Sequence, residues 1–175
     1  MKKVFSIFLL MLCFHALWAQ KIDKVGKIVV NQPMPPFSLQ DLKGNDWDMS
    51  RFTNQITVFY FWLPDTAKIW NDQMQGVGLQ ALTFKDKGVN FVAPAWGSSE
   101  RVKEFMKLRN YYMNVLIDDK DWMYNILGID SFPVIVIVGK NLMVHKIYAG
   151  YDEELPKLIK EELYNMLNKN KERED

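Results

Sequence analysis

Side chains able to do covalent or metal chemistry are scarce in this chain. Its 175 residues hold one cysteine, Cys13, and two histidines, His15 and His145. Sulfur nucleophiles act as thiolates, so without a second cysteine no dithiol pair can form within the chain. Multi-histidine metal centres need several ring nitrogens at once. Cys13 and His15 both lie in the first nineteen residues, so the body of the chain keeps only His145. Its place on a strand-like run points to a structural or surface role. The ten methionines are scattered like core fillers and do not cluster like soft-metal ligands. No metal and no cofactor is therefore expected. Asp65, Lys68 and Asp72 gather at the start of a helix-like stretch, where carboxylates suit the macrodipole and Lys68 and Asp72 pair at i,i+4. As catalytic acids they lack both a base and a positioned nucleophile.

Residues 1–19 have the three-part layout of a secretory signal peptide: Lys2 and Lys3, an apolar run from Val4 to Leu12, then the small residues Ala16 and Ala19. The run is too short to span a bilayer. Leu12 before Cys13 argues against lipid attachment, so cleavage after Ala19 is expected. The reading is an exported protein, periplasmic or secreted, with one domain over residues 20–175 and its core at about 30–167. The whole chain carries a formal charge of +1, and loss of Lys2 and Lys3 takes the remainder to about −1. That balance gives no footprint for nucleic acid and no pull toward anionic lipid. No stable membrane insertion is expected after cleavage. No disulfide can form inside residues 20–175, so stability must come from a core in which aromatics, 14% of the chain and six of them Trp, carry much of the burial.

The elements that position any site follow from periodicity. Gln20–Gln32 has little pattern and reads as a lead-in. Phe37 to Gln40 alternates, Leu42 to Asn45 offers turn chemistry and Trp47 to Met49 alternates again, which signals a β-hairpin. Ile56 to Trp62 is apolar at nearly every position, as suits a central strand covered on both faces. Pro64 ends it and Asp65 is placed to cap the following helix. That helix carries Trp70, Met74, Val77, Ala81 and Phe84 as one stripe, with Gly76 and Gly78 weakening it by about 1 kcal/mol each. A strand from Val89 to Trp96 follows. A second helix, capped by Ser98 or Ser99, shows Val102, Phe105, Met106, Arg109 and Tyr112 along one face. Asn114–Asp118 reads as a strand, Asp121 to Leu127 as a helical turn closed by Gly128, and Phe132 to Val138 with Leu142 to Ala149 as a hairpin. The last helix starts near Glu154 and buries Leu155, Leu158, Ile159, Leu163, Met166 and Leu167. Lys169 to Asp175 has no apolar residue and is expected to fray.

This order, with Pro36-Phe37-Ser38-Leu39-Gln40-Asp41-Leu42-Lys43-Gly44, Val58-Phe59-Tyr60-Phe61-Trp62, Gly128-Ile129-Asp130-Ser131-Phe132-Pro133-Val134 and Gly139-Lys140 in sequence, resembles the thioredoxin-like superfamily. The likeness is to its secreted TlpA/redoxin (AhpC/TSA-like) type, over about Val30 to Leu167. The resemblance implies an α/β thioredoxin-like fold: a central mixed β-sheet flanked by helices, with an N-terminal β-hairpin extension. It also places the family's two active-site cysteines on Thr66 and Ile69 and its nearby acidic residue on Asp72. A peroxiredoxin register puts the peroxidatic cysteine on Ile69 as well. Neither residue supplies sulfur, so the site is degenerate and no catalytic residue is assigned.

What the resemblance leaves is the peptide-binding half of the family's groove, backbone beside a cis-proline, here Phe132-Pro133. Pro64, Asp65 and Trp70 are expected to border it together with Trp62 and Trp96, although Trp62 reads more simply as core. The expected function is non-catalytic binding of an extended peptide or an envelope protein. The alternatives are a divergent thiol-disulfide oxidoreductase or peroxiredoxin-like enzyme, and a structural envelope component.

Overall fold

A computed structural model of the protein describes residues 20–64, 67–107 and 109–174. Its centre is β6 (Ile56–Phe61), buried at all six positions. Side chains alternate across the sheet along such a strand. Ile56, Val58 and Tyr60 therefore join one core cluster, and Phe59 and Phe61 the other. β6 pairs in parallel with β7 (Val89–Trp96) and antiparallel with β9 (Val134–Val138). Further out, β7 runs parallel to β8 (Asn114–Asp118), while β9 pairs antiparallel with β10 (Val144–Ala149). The expected N-terminal hairpin is β4 (Ser38–Asp41) and β5 (Asp46–Asp48), attached through β4 to β8.

Gln20–Gln32 departs from the lead-in expected of it. β1 (Gln20–Ile22) adds to the free edge of β10, with Gln20 opposite Ala149, and β2 (Lys24–Val25) with β3 (Ile28–Val29) makes a small separate ribbon. Strand addition at an edge is driven by main-chain hydrogen bonds, so a short segment can join without apolar alternation. The main sheet thus has eight strands in the order β1-β10-β9-β6-β7-β8-β4-β5.

One core cluster brings β6 together with α1 (Lys68–Phe84), α2 (Ser99–Met106) and α3 (Leu155–Glu174). The other lies under the N-terminal segments and a one-turn π-helix, Met123–Leu127, which ends at Gly128 in the left-handed conformation. Three further expectations need correcting. Asp65 lies outside the described residues, and the N-cap position of α1 is Ala67, with no side-chain cap hydrogen bond. α2 stops at Met106, so Arg109 and Tyr112 do not extend its stripe; Arg109 instead places its guanidinium 3.9 Å from the Phe105 ring centre. α3 continues to Glu174 where fraying was expected from Lys169, because a polar run of good helix formers can extend a helix already anchored by its first turns. Ser98 does cap α2, accepting from the Arg101 amide.

α3 is held to β10 by charge as well as packing. His145 and Lys146 both reach Glu162, the former at 2.7 Å. Burial works to raise the Glu162 carboxyl, but hydrogen bonds from Lys146 and His145 outweigh it and hold it below the usual range. A carboxylate depressed on folding adds stability above its unfolded pKa, and that stability is lost as acidification passes through the folded value.

The glycines of α1 have a packing role that propensity hides. A Cβ at Gly76 would meet the Pro156 ring at 2.7 Å, and one at Gly78 would fall 1.8 Å from the Tyr111 carbonyl oxygen. The second contact is with backbone, which cannot rotate away. Gly78→Ala is therefore expected to destabilise by about 2–4 kcal/mol, against the gain of about 1 kcal/mol that helix propensity alone would give. Urea unfolding measures it, and a neutral or stabilised variant would show that the 111 segment does not pack there.

Candidate functional site

The far ends of β6 and β7 stay together beyond their regular pairing. The Trp62 amide donates to the Pro94 carbonyl at 3.1 Å and the Trp96 amide to the Trp62 carbonyl at 2.8 Å. The Trp62 indole, only 4% exposed, donates to the Ala93 carbonyl at 3.2 Å. Trp62 is thus core, as its apolar strand implied. The chain then turns at Leu63 and Pro64. Pro64 is buried, and its carbonyl accepts from Arg101 Nη2 at 2.9 Å, which ties the turn to α2.

Across from this turn the Phe132–Pro133 peptide bond is cis. Here a cleft of about 20 Å³ is lined by Tyr60, Trp62, Leu63, Phe132 and Pro133 and by Trp70, Asn71 and Met74 of α1. The structure thus brings Trp70, Phe132 and Pro133 together at one cleft. Pro64 is directed toward α2. Ile69 stands in the first turn of α1, 49% exposed, and Asp72 is an exposed partner of Lys68. Asp65 and Thr66 lie outside the described residues. The Pro133 carbonyl accepts from the Gly150 amide at 2.9 Å, while the Phe132 amide and carbonyl have no backbone partner among the described residues.

None of the cleft-lining side chains is ionisable to a charge near neutral pH. Burial pushes the Tyr60 phenol well above its usual range against a weaker opposing pull from the Gln73 side chain, and its hydroxyl makes no hydrogen bond of good geometry among the described residues. The Tyr111 hydroxyl donates to Asn71 Oδ1 at 3.0 Å, which fixes the amide at the cleft wall. Among the described residues no group of three or more His, Cys, Asp or Glu side chains could hold a metal ion. The arrangement offers apolar contact and free main-chain groups. A larger hollow, about 580 Å³, lies between the hairpin and α2 and includes Asp41, Lys103, Lys120 and Trp122. Asp41 is consumed by its own turn, where hydrogen bonds from Asn45 and the Lys43 amide keep its carboxyl far below the usual range.

Residues 30–147 match the AhpC/TSA family model. The chain belongs to the AhpC/TSA family. Within it, the chain is 22% identical over 151 residues to the thiol-disulfide oxidoreductase ResA of Geobacillus thermodenitrificans, covering 86% of each protein. Among solved structures, a candidate thiol:disulfide interchange protein DsbE from Chlorobium tepidum superposes with a TM-score of 0.73 at 16% identity, over 80% of this chain and 99% of that one. The thioredoxin domain of thiol-disulfide oxidoreductase BVU-2223 from Bacteroides vulgatus gives 0.64 at 21% identity, over 77% and 97%. These likenesses establish the thioredoxin-like fold of this AhpC/TSA member. The sequence of this member has Thr66 and Ile69 where the resemblance places the cysteines, and Cys13 is its only thiol.

Tyr60, Asn71 and Tyr111 escape sequence reasoning. Tyr60 sits in a uniformly apolar strand, where nothing distinguishes a buried hydroxyl from a ring used only for packing. A buried hydroxyl without a partner costs stability that a phenyl ring does not. Tyr60→Phe is expected to melt at the same temperature as the parent or higher, with a gain of up to about 1 kcal/mol. A clear fall in melting temperature would show that the hydroxyl is bonded in solution.

Proposed function

We propose that this AhpC/TSA-family protein is an exported, redox-silent binding protein that lays an extended peptide or envelope partner along the surface beside the shallow cleft at Phe132-Pro133. The observation that carries the reading is the pairing of free Phe132 main-chain groups with an uncharged aromatic cleft, in a chain whose only cysteine is Cys13. An extended segment laid beside Phe132 gains main-chain hydrogen bonds by strand addition, and Trp70 and Phe132 supply contact area at low entropic cost. Thr66 and Ile69 can play no part as sulfur nucleophiles, because a hydroxyl is too weakly acidic and an alkyl chain has no lone pair. Asp72 is already paired with Lys68. Export is supported by the layout of residues 1–19 and by one structural neighbour described as a secreted Mycobacterium tuberculosis disulfide oxidoreductase, with a TM-score of 0.51. No helix among the described residues is long and apolar enough to cross a membrane.

The competing enzymatic reading is favoured by the names of the relatives and disfavoured by the missing sulfur. Two measurements separate them. The protein starting at Gln20 is expected to give no catalysed insulin reduction and no peroxide consumption. It is also expected to bind reduced, carboxymethylated α-lactalbumin, an unfolded chain, with Phe132→Ala weakening that affinity by about tenfold. Redox turnover, or undiminished binding by a folded Phe132→Ala variant, would overturn the proposal.

A further inference from the structure

The surface beside Phe132 carries a feature that the cleft does not require. Tyr124, Trp96 and Phe132 form a row of near-parallel rings, with Tyr124 and Trp96 6.1 Å apart at 6° and Trp96 and Phe132 5.7 Å apart at 27°. Tyr124 is 54% exposed and the other two are half-buried. The middle ring is fixed: Trp96 Nε1 donates to Asp121 Oδ1 at 2.6 Å. Asp121 holds a left-handed backbone conformation, φ +56°, one that Asp tolerates better than most residues. A rigid, solvent-facing aromatic row is the kind of surface that a partner can cover without first ordering it.

Charge indicates which partner. The segment that carries two of the three rings also carries exposed Asp119, Asp121 and Asp130 against a single Lys120, and Asp118 is buried behind it. On adjoining elements Arg101 is held at the Pro64 carbonyl, Lys68 is paired with Asp72, and Lys103 lines the neighbouring hollow with Asp119 and Lys120. Asp121 at the Trp96 ring, with the other carboxylates of its segment, complements a guanidinium or ammonium group, which gains from the ring quadrupole and from negative charge together.

We infer that the Tyr124-Trp96-Phe132 row is a specificity surface for a basic extended peptide, whose Arg or Lys side chain lies on Tyr124 within the field of Asp119, Asp121 and Asp130. The inference rests on the peptide-binding reading and names the chemistry of the peptide. Fluorescence anisotropy with three labelled extended peptides tests it, valine alternating with arginine, with glutamine or with glutamate. The arginine peptide is expected to bind the protein starting at Gln20 about tenfold more tightly than the glutamine peptide, with the gap shrinking at high salt. Tyr124→Ala and Asp130→Asn, both at exposed positions, are expected to cut arginine-peptide affinity severalfold and to leave glutamine-peptide affinity and melting temperature unchanged. Equal affinity for the arginine and glutamine peptides, preference for glutamate, or unchanged arginine binding by both variants would overturn the inference. If the glutamine peptide binds and Phe132→Ala weakens it while no arginine preference appears, the groove stands and this inference alone falls. If no peptide and no carboxymethylated α-lactalbumin binds, both fall.

Discussion

Complete burial of β6 is the constraint on which the rest of the molecule depends. A strand with no exposed side chain must be covered on both faces and paired on both edges, and each of those requirements recruits a different part of the chain. β7 and β9 take the edges, the helices take the Ile56-Val58-Tyr60 face, and the N-terminal segments with the π-turn take Phe59 and Phe61. Where the strand runs out, Trp62, Trp96 and Pro133 are left at the same end of the sheet. The cleft is thus a product of how the central strand terminates.

That origin explains how the fold can form with no cysteine in residues 20–175. Ile69, on which the resemblance places a cysteine, stands half in solvent at the first turn of α1, and Asp72 beside it is exposed. Neither contributes to the two core clusters. Chemistry at a helix start can be lost with little energetic consequence, whereas the packing that sets the cleft walls cannot. Gly78 illustrates the contrast, because its missing side chain lets the Tyr111 backbone close on α1 and brings the Tyr111 hydroxyl to Asn71.

Much of this was legible in the sequence wherever a single local cause decides the structure. The β-branched run from Val134, the turn at Gly139-Lys140-Asn141 and the stripe of α3 each announce themselves by period or propensity. Failures occurred where the deciding partner is remote. β1 exists because β10 has a free edge, and no feature of Gln20-Lys21-Ile22 encodes that edge. α2 ends at Met106 although the apolar spacing continues, because the chain must turn onto α1. At the site, Phe132 and Pro133 were visible through the family frame, while the aromatic row was not, since Trp96 and Tyr124 are separated in sequence and meet only through the order of β7, β8 and the π-turn. Tyr60 reads as packing because burial of its hydroxyl is a property of neighbours on other elements.

The register of β1 carries a practical consequence. Gln20 stands opposite Ala149, which stands opposite Val134, so the chain enters the sheet about 10 Å, two strand spacings, from the residue following Pro133. Anything joined directly ahead of Gln20 is tethered beside the cleft at an effective concentration on the order of millimolar. Under the binding function proposed above, an affinity tag or fusion at that end competes with a weak partner for the cleft.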